Sequence, residues 1–349
     1  MELRSRSCDW LLGISIFLTN SLLFLLLLFQ KACFVDFQKA YDTIWRNGLF
    51  YKLMKYGFSH KIVFLLKSKY DRVASAVKVK SGQTATFTPL VGVRQGCKLI
   101  VNDIVDIFDS TCDPLIMGEC KISYLLYADG LILLSESEHG LKRCLDKLNC
   151  YAKKWQMRIN IKKTKAIIFN KSGKIFRSEF KLGNQPIQVL DSYVYLGITF
   201  TPSGSFSLAQ KKLYYKATRS LYGFLSEVNI YNGASVSAVL KLFDSLVSPM
   251  LLYNCEIWGC FLKSVGNNYE KFVSRIFDER ITPENLYNKV CKMALGVHSK
   301  ASNHAVKGEL GRFPLHLIIY TRIFKYFLRL FTLQNNQILK STLEIKKSI

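Results

Sequence analysis

Residues 121–135 constrain the fold of this chain more than any other stretch. Two apolar, β-prone runs, 122–127 and 131–134, stand on either side of Ala128-Asp129-Gly130. Asp-Gly between such runs is the strongest short hairpin signal, because glycine takes the positive φ of a tight turn without strain. The two runs are thus expected to pair as antiparallel strands, with a carboxylate at their tip. Taken alone, Asp129 is adequately explained as a turn residue. A second apolar run, Cys33-Phe34-Val35-Asp36-Phe37, also ends on an aspartate. Carboxylates at the ends of two neighbouring strands are hard oxygen donors of the kind that hold Mg²⁺.

Five segments follow one another in a telling order. Phe34-Val35-Asp36-Phe37-Gln38-Lys39-Ala40-Tyr41-Asp42, Gly92-Val93-Arg94-Gln95-Gly96-Cys97, Tyr127-Ala128-Asp129-Gly130, Asn160-Ile161-Lys162-Lys163-Thr164-Lys165 and Tyr195-Leu196-Gly197 resemble motifs A to E of reverse transcriptases. The version is similar to that of LINE-like retrotransposons, which lack long terminal repeats. The resemblance covers residues 33–333, since Leu310-Gly311-Arg312-Phe313-Pro314-Leu315 resembles the segment after the thumb in such elements. It implies an α+β fold: a palm-like antiparallel sheet with packed helices, then a helical thumb and C-terminal region. The domains it implies are a hydrophobic N-terminal segment at 1–30, a palm with partial fingers at 31–200, thumb-like helices at 201–265 and a helical region at 266–349.

The same resemblance assigns roles. Asp36 and Asp129 would be the catalytic carboxylates and, with the backbone carbonyl of Phe37, the Mg²⁺ ligands. Tyr41 matches the aromatic that blocks a ribose 2′-hydroxyl. Arg94, Gln95 and Gly96 would meet the incoming nucleotide, Lys163 the leaving pyrophosphate, and Tyr195, Leu196 and Gly197 the primer end. The partners implied are an RNA template, a DNA primer and deoxynucleotide triphosphates.

Three departures from the pattern oppose activity. The family reads Tyr-Ala-Asp-Asp where this chain has Gly130 last. Loss of one electrostatic group commonly costs ~10²- to 10³-fold in rate. After Gln95-Gly96-Cys97 the chain runs through Lys98-Leu99-Ile100-Val101 straight to Asn102-Asp103, short of the family by roughly two helical turns at 3.6 residues each. The basic fingers motifs expected before Asp36 are not recognisable. The expectation is therefore a degenerate reverse transcriptase, derived from an RNA-directed DNA polymerase and inactive. The alternatives are a working RNA-directed DNA polymerase and a membrane-attached, non-catalytic basic RNA-binding protein.

Charge and hydropathy keep the third reading open. Lys plus Arg number 49 against 25 Asp plus Glu, a formal net charge of +24. Such an excess favours polyanions, whether nucleic acid or an anionic membrane surface. Residues 10–29 form an apolar run just long enough to cross a bilayer core of about 30 Å as a helix. It reads either as a membrane helix or as a misjoined gene end. The ten cysteines show no C-x-x-C pair, which argues against a zinc site and for reduced, intracellular thiols.

Periodicity predicts helices over 40–56, 60–70, 138–155, 207–228, 235–254, 268–280 and 314–333, and a hairpin around Ser81-Gly82. Strands are expected at 166–169 and 198–201. Phe324 and Phe327 are expected in the core, His60 on the surface.

Overall fold

The computed structural model describes residues 31–80, 82–93, 102–117, 120–127, 130–170, 172–174, 176, 178–228, 235–259 and 282–332. Expectations for residues 10–29, 94–101, 268–280 and 334–349 lie outside them. No described helix is long and apolar enough to cross a membrane. The described residues fall into two compact units, one up to Asp191 and one from Ser192.

The first unit is built on β1 (Lys31–Asp36). Two helices follow, α1 (Arg46–Lys55) and α2 (His60–Asp71), then the short hairpin of β2 (Lys78–Val79) and β3 (Gly82–Gln83). Next come two 3₁₀ turns, Asn102–Ile107 and Ser110–Cys112, and a hairpin of β4 (Leu115–Met117) and β5 (Cys120–Ile122). The unit is completed by β6 (Tyr124–Tyr127), β7 (Gly130–Ser135), α3 (Glu138–Lys154), β8 (Lys165–Ile168), β9 (Phe180–Leu182) and β10 (Gln185–Val189). One six-stranded sheet runs β6-β7-β1-β8-β10-β9. Its pairs are antiparallel except β8 with β10, which is parallel.

Strand alternation divides this sheet into two faces. Cys33, Val35, Phe37, Leu131 and Leu133 share one buried core with Leu141, Leu145 and Leu148 of α3. Those three leucines recur at helical spacing and are fully buried. Burying each stabilises the unit by about 1.5–3 kcal/mol relative to exposure. Ser137 caps α3, its hydroxyl accepting from Gly140 N at 2.8 Å. Asp36, two residues on from Phe34, belongs to the face away from α3.

The second unit opens with the hairpin β11 (Tyr193–Tyr195) and β12 (Ile198–Phe200). Helix α4 (Ser207–Val228) buries Ala209, Leu213, Ala217 and Leu221, four residues apart along one stripe. Short helices α5 (Val236–Leu242), α6 (Ser248–Leu251) and α7 (Cys255–Trp258) follow, with a π-helical turn, Phe243–Val247, between the first two. Then come α8 (Thr282–Leu295), α9 (Asn303–Glu309) and α10 (Leu315–Thr332). Glu284 of α8, 2 % exposed, joins three elements: it meets Lys307 Nζ of α9 at 2.6 Å and accepts from Leu315 N of α10 at 2.9 Å.

Several expectations need correction. The first helix starts at Arg46, not 40, because Lys39 takes a left-handed φ of 48° and residues 39–43 close into a turn. The helix expected over 235–254 is broken by the π-helical turn and by Pro249 in the first turn of α6. Phe324 is 64 % exposed and outside the core; the side chain of Phe327 is not among those described.

Candidate functional site

The pairing of β1 with β7 is the centre of the site. Lys31 faces Ser135 and the register runs unbroken to Asp36 opposite Gly130. On its other side β7 pairs with β6, Tyr127 opposite Gly130. The two residues between are Ala128 and Asp129, which lie outside the described residues. Gly130 is therefore the first residue of β7, and the expected turn at Asp129 lies outside the described residues.

Asp36 is held from its other flank. Asn160 N donates to Asp36 O at 2.8 Å, and Gln38 N donates to Arg158 O at 2.8 Å, bracketing a bridge between Phe37 and Ile159. Those two bonds leave the Phe37 carbonyl out of the bridge. Residues 160–164 then turn back, with Lys163 N and Thr164 N both donating to Asn160 O. The turn brings the buried Thr164 hydroxyl to accept from Asp36 N at 3.3 Å and Lys163 Nζ to 3.8 Å from Asp36 Oδ2. Both charged side chains are substantially exposed, so this contact contributes little stability. Its value is positional: a lysine ammonium stands at the rim of the aspartate.

Tyr41 is half-buried against the sheet core, and its carbonyl accepts from Val93 N at 2.7 Å. Gly92 N donates to Ile44 O at 2.9 Å, and Arg46 Nε donates to Gly92 O at 2.7 Å. A β-carbon on Gly92, whose φ is +85°, would meet Asp42 O at 2.5 Å. Glycine is needed here for both the conformation and the close approach. Arg94, Gln95 and Gly96 lie outside the described residues. Beyond them the chain is a 3₁₀ turn in which Asp103 Oδ1 meets Lys52 Nζ at 2.7 Å. The Tyr151 hydroxyl donates to the same oxygen at 2.5 Å, and Lys52 Nζ lies 3.9 Å from the Trp155 ring. Burial drives the Lys52 pKa down, against the hydrogen bond and charge of Asp103, which raise it.

In the second unit Tyr195 pairs with Ile198, so Leu196 and Gly197 form a two-residue turn with φ of 46° and 81°. Tyr253 OH donates to Leu196 O at 3.0 Å. Leucine in the left-handed region carries a cost of about 1–2 kcal/mol.

Among the described residues no group of three or more His, Cys, Asp or Glu side chains is placed to hold a metal ion. Asp36 and the Phe37 carbonyl do not make a divalent-cation site by themselves, and Lys163 adds a positive charge beside them. Sequence reasoning missed Thr164, Arg46 and the Lys52–Asp103–Tyr151 cluster. Asn102-Asp103 was a visible landmark, but nothing in the sequence joins it to residues some fifty positions away on either side.

An α+β sheet unit, with an aspartate and a lysine at one strand end beside a hairpin, is the class of protein these observations define. Residues 28–200 match the family described as reverse transcriptase (RNA-dependent DNA polymerase). The chain carries a reverse transcriptase domain of the non-long-terminal-repeat retrotransposon type. It is 26 % identical over 249 residues to the RNA-directed DNA polymerase from mobile element jockey of Drosophila melanogaster, covering 68 % of this chain and 26 % of that one. It is 26 % identical over 260 residues to the probable RNA-directed DNA polymerase from transposon BS of the same fly, covering 70 % and 28 %. The chain thus spans about a quarter of the length of these relatives. The structure of apo telomerase from Candida tropicalis overlaps 97 % of this chain and 56 % of its own at 15 % identity, with a TM-score of 0.38, too loose to support an argument.

Proposed function

We propose that this chain is a reverse transcriptase-derived protein that binds nucleic acid but has lost nucleotide addition. The observation that carries the reading is the pairing of Asp36 with Gly130. Directly opposed residues of an antiparallel pair hold their β-carbons about 4.5–5.5 Å apart on one face. A carboxylate at 130 would stand beside Asp36, where the family pattern has its last acid. Glycine leaves that place without charge.

In this reading residues 31–200 act as a palm with partial fingers, 201–265 as a thumb and 266–349 as a C-terminal helical region. Asp36, Asp129 and the Phe37 carbonyl are what remains of a set for Mg²⁺, which when bound would neutralise charge in phosphoryl transfer. Lys163 faces the phosphates, Tyr41 the sugar, Arg94, Gln95 and Gly96 the nucleotide, and Tyr195, Leu196 and Gly197 the primer end. An RNA template and a DNA primer are the partners. One observation favours the alternative of a working RNA-directed DNA polymerase: Asp36 and Lys163 keep contact at 3.8 Å.

The test is to titrate the full chain with a DNA primer annealed to RNA, then add deoxynucleotide triphosphates and Mg²⁺. Salt-sensitive binding without extension is expected. Templated extension overturns the loss of activity, and absence of binding at low salt overturns the binding.

A further inference from the structure

A second feature of the first unit lies on the α3 side of the sheet, whereas Asp36 belongs to the other face. The C-terminal turns of α3, residues 157–162 and the β9–β10 turn border an open groove of about 850 Å³. That lies within the 300–1,000 Å³ of typical ligand pockets, so the lining and not the size points to the occupant.

Three cations line the groove, Lys153, Arg158 and Lys162, and no Asp or Glu does. All three are exposed, and none is ion-paired among the described residues. Lys153 sits in the last turn of α3, where a cation also complements the helix dipole. That explanation does not extend to Arg158 and Lys162, which come from the segment beyond the helix. Between the cations stand amides, Gln38, Asn149, Asn184 and Gln185, over half-buried Met157, Ile159 and Ile161.

The walls are fixed before anything binds. Met157 N donates to Ala152 O at 2.8 Å and Gln38 N to Arg158 O at 2.8 Å, tying the segment to α3 and to the end of β1. Gly183 lets the β9–β10 turn lie close on α3, since a β-carbon there would approach Asn149 Nδ2 at 3.2 Å. Lys162 and Lys163 are consecutive, yet Lys162 lines the groove while Lys163 meets Asp36.

We infer that this groove is a second nucleic-acid site, binding a single-stranded polynucleotide apart from the Asp36 site. Cations take the phosphates, amides meet sugar hydroxyls and base edges, and the apolar floor receives base surface. The inference rests on the nucleic-acid-binding reading above and adds where a strand lies.

The experiment follows a fluorescent single-stranded RNA by anisotropy across a salt series. It compares the full chain, the triple variant Lys153→Gln/Arg158→Gln/Lys162→Gln, and a control with equal charge loss on α2, Lys61→Gln/Lys67→Gln/Lys69→Gln. With each neutralised phosphate contributing about 0.7 to the slope of log affinity against log salt, the groove variant should lose about 2 from that slope. It should bind roughly tenfold or more weakly, while the control changes by much less. Both variants should unfold at the temperature of the unaltered chain, because all six side chains are exposed. Equal losses in the two variants would mean diffuse charge and overturn the groove. So would displacement of the RNA by polyglutamate as readily as by unlabelled RNA. No binding by the unaltered chain would overturn the functional reading along with the groove.

Discussion

Asp36 and Gly130 stand opposite each other across two strands, so the side chain at 130 decides how much negative charge the site holds. Like charges directly opposed in a sheet are destabilising, by roughly 0.2–1 kcal/mol. Gly130→Asp should therefore be less stable than its uncharged isostere Gly130→Asn by that amount in a metal chelator, as measured by urea unfolding. Equal stability would show that the two carboxylates do not approach. Gly92 invites a second test, because its φ of +85° and the 2.5 Å approach to Asp42 O leave no room for a β-carbon. Gly92→Ala is expected to cost roughly 2–4 kcal/mol of stability; an unchanged denaturation midpoint would contradict the close approach. Thiol chemistry reads burial directly: Cys33, Cys112, Cys144, Cys255 and Cys291 are buried and Cys150 is exposed. Burial pushes the Cys33 and Cys255 thiols up to about 12. Alkylation of the native chain near pH 8 should label Cys150 well before these five, as peptide mass mapping would reveal, and faster labelling of Cys33 would contradict its place in the central strand.

Elements that bury one regular stripe were legible in the sequence. The expected helix over 207–228 is α4 itself, and the one over 138–155 is α3 to within a residue. Their leucines and alanines recur at the helical period, so pattern and packing agree. Where a local backbone event intervenes, the pattern misleads: Lys39 turns left-handed before α1, and a π-helical turn interrupts 235–254. The Leu196-Gly197 turn escaped notice because leucine at a positive φ is not a turn signal; Tyr253, distant in sequence, holds it. Helices α8 and α9 were not foreseen either, and they are joined by the pair Glu284–Lys307 at 2.6 Å, both residues buried. Breaking such a pair leaves an uncompensated buried charge and costs about 3–5 kcal/mol. Glu284→Ala should therefore melt the second unit early, seen as loss of protection in α8, α9 and the start of α10 by hydrogen exchange. Protection unchanged in all three helices would show that apolar packing alone holds them.

At the scale of the molecule, the order of five short motifs was enough to reach the family, and the residues 28–200 that match it include all five. The register that sets Asp36 against Gly130 was not legible, since pairing between runs almost a hundred residues apart is fixed by the whole sheet. Nor was the groove behind it, which gathers Lys153, Arg158 and Lys162 from two segments and frames them with a hairpin. The excess of 49 basic over 25 acidic residues spreads binding over many side chains, whereas nucleotide addition depends on a few placed within about 1 Å, a tolerance whose loss can cost ~10²-fold. Binding should therefore outlast catalysis. The most direct measurement is extension of a DNA primer annealed to RNA, in Mg²⁺, by the unaltered chain and by Gly130→Asp, with binding followed in the same samples. Both proteins are predicted to bind the hybrid and neither to extend it, because on the proposed reading one restored acid leaves the short run from Cys97 to Asn102 unchanged. Templated extension by the unaltered chain would contradict the account outright, and extension by Gly130→Asp alone would reduce the lesion to that single residue.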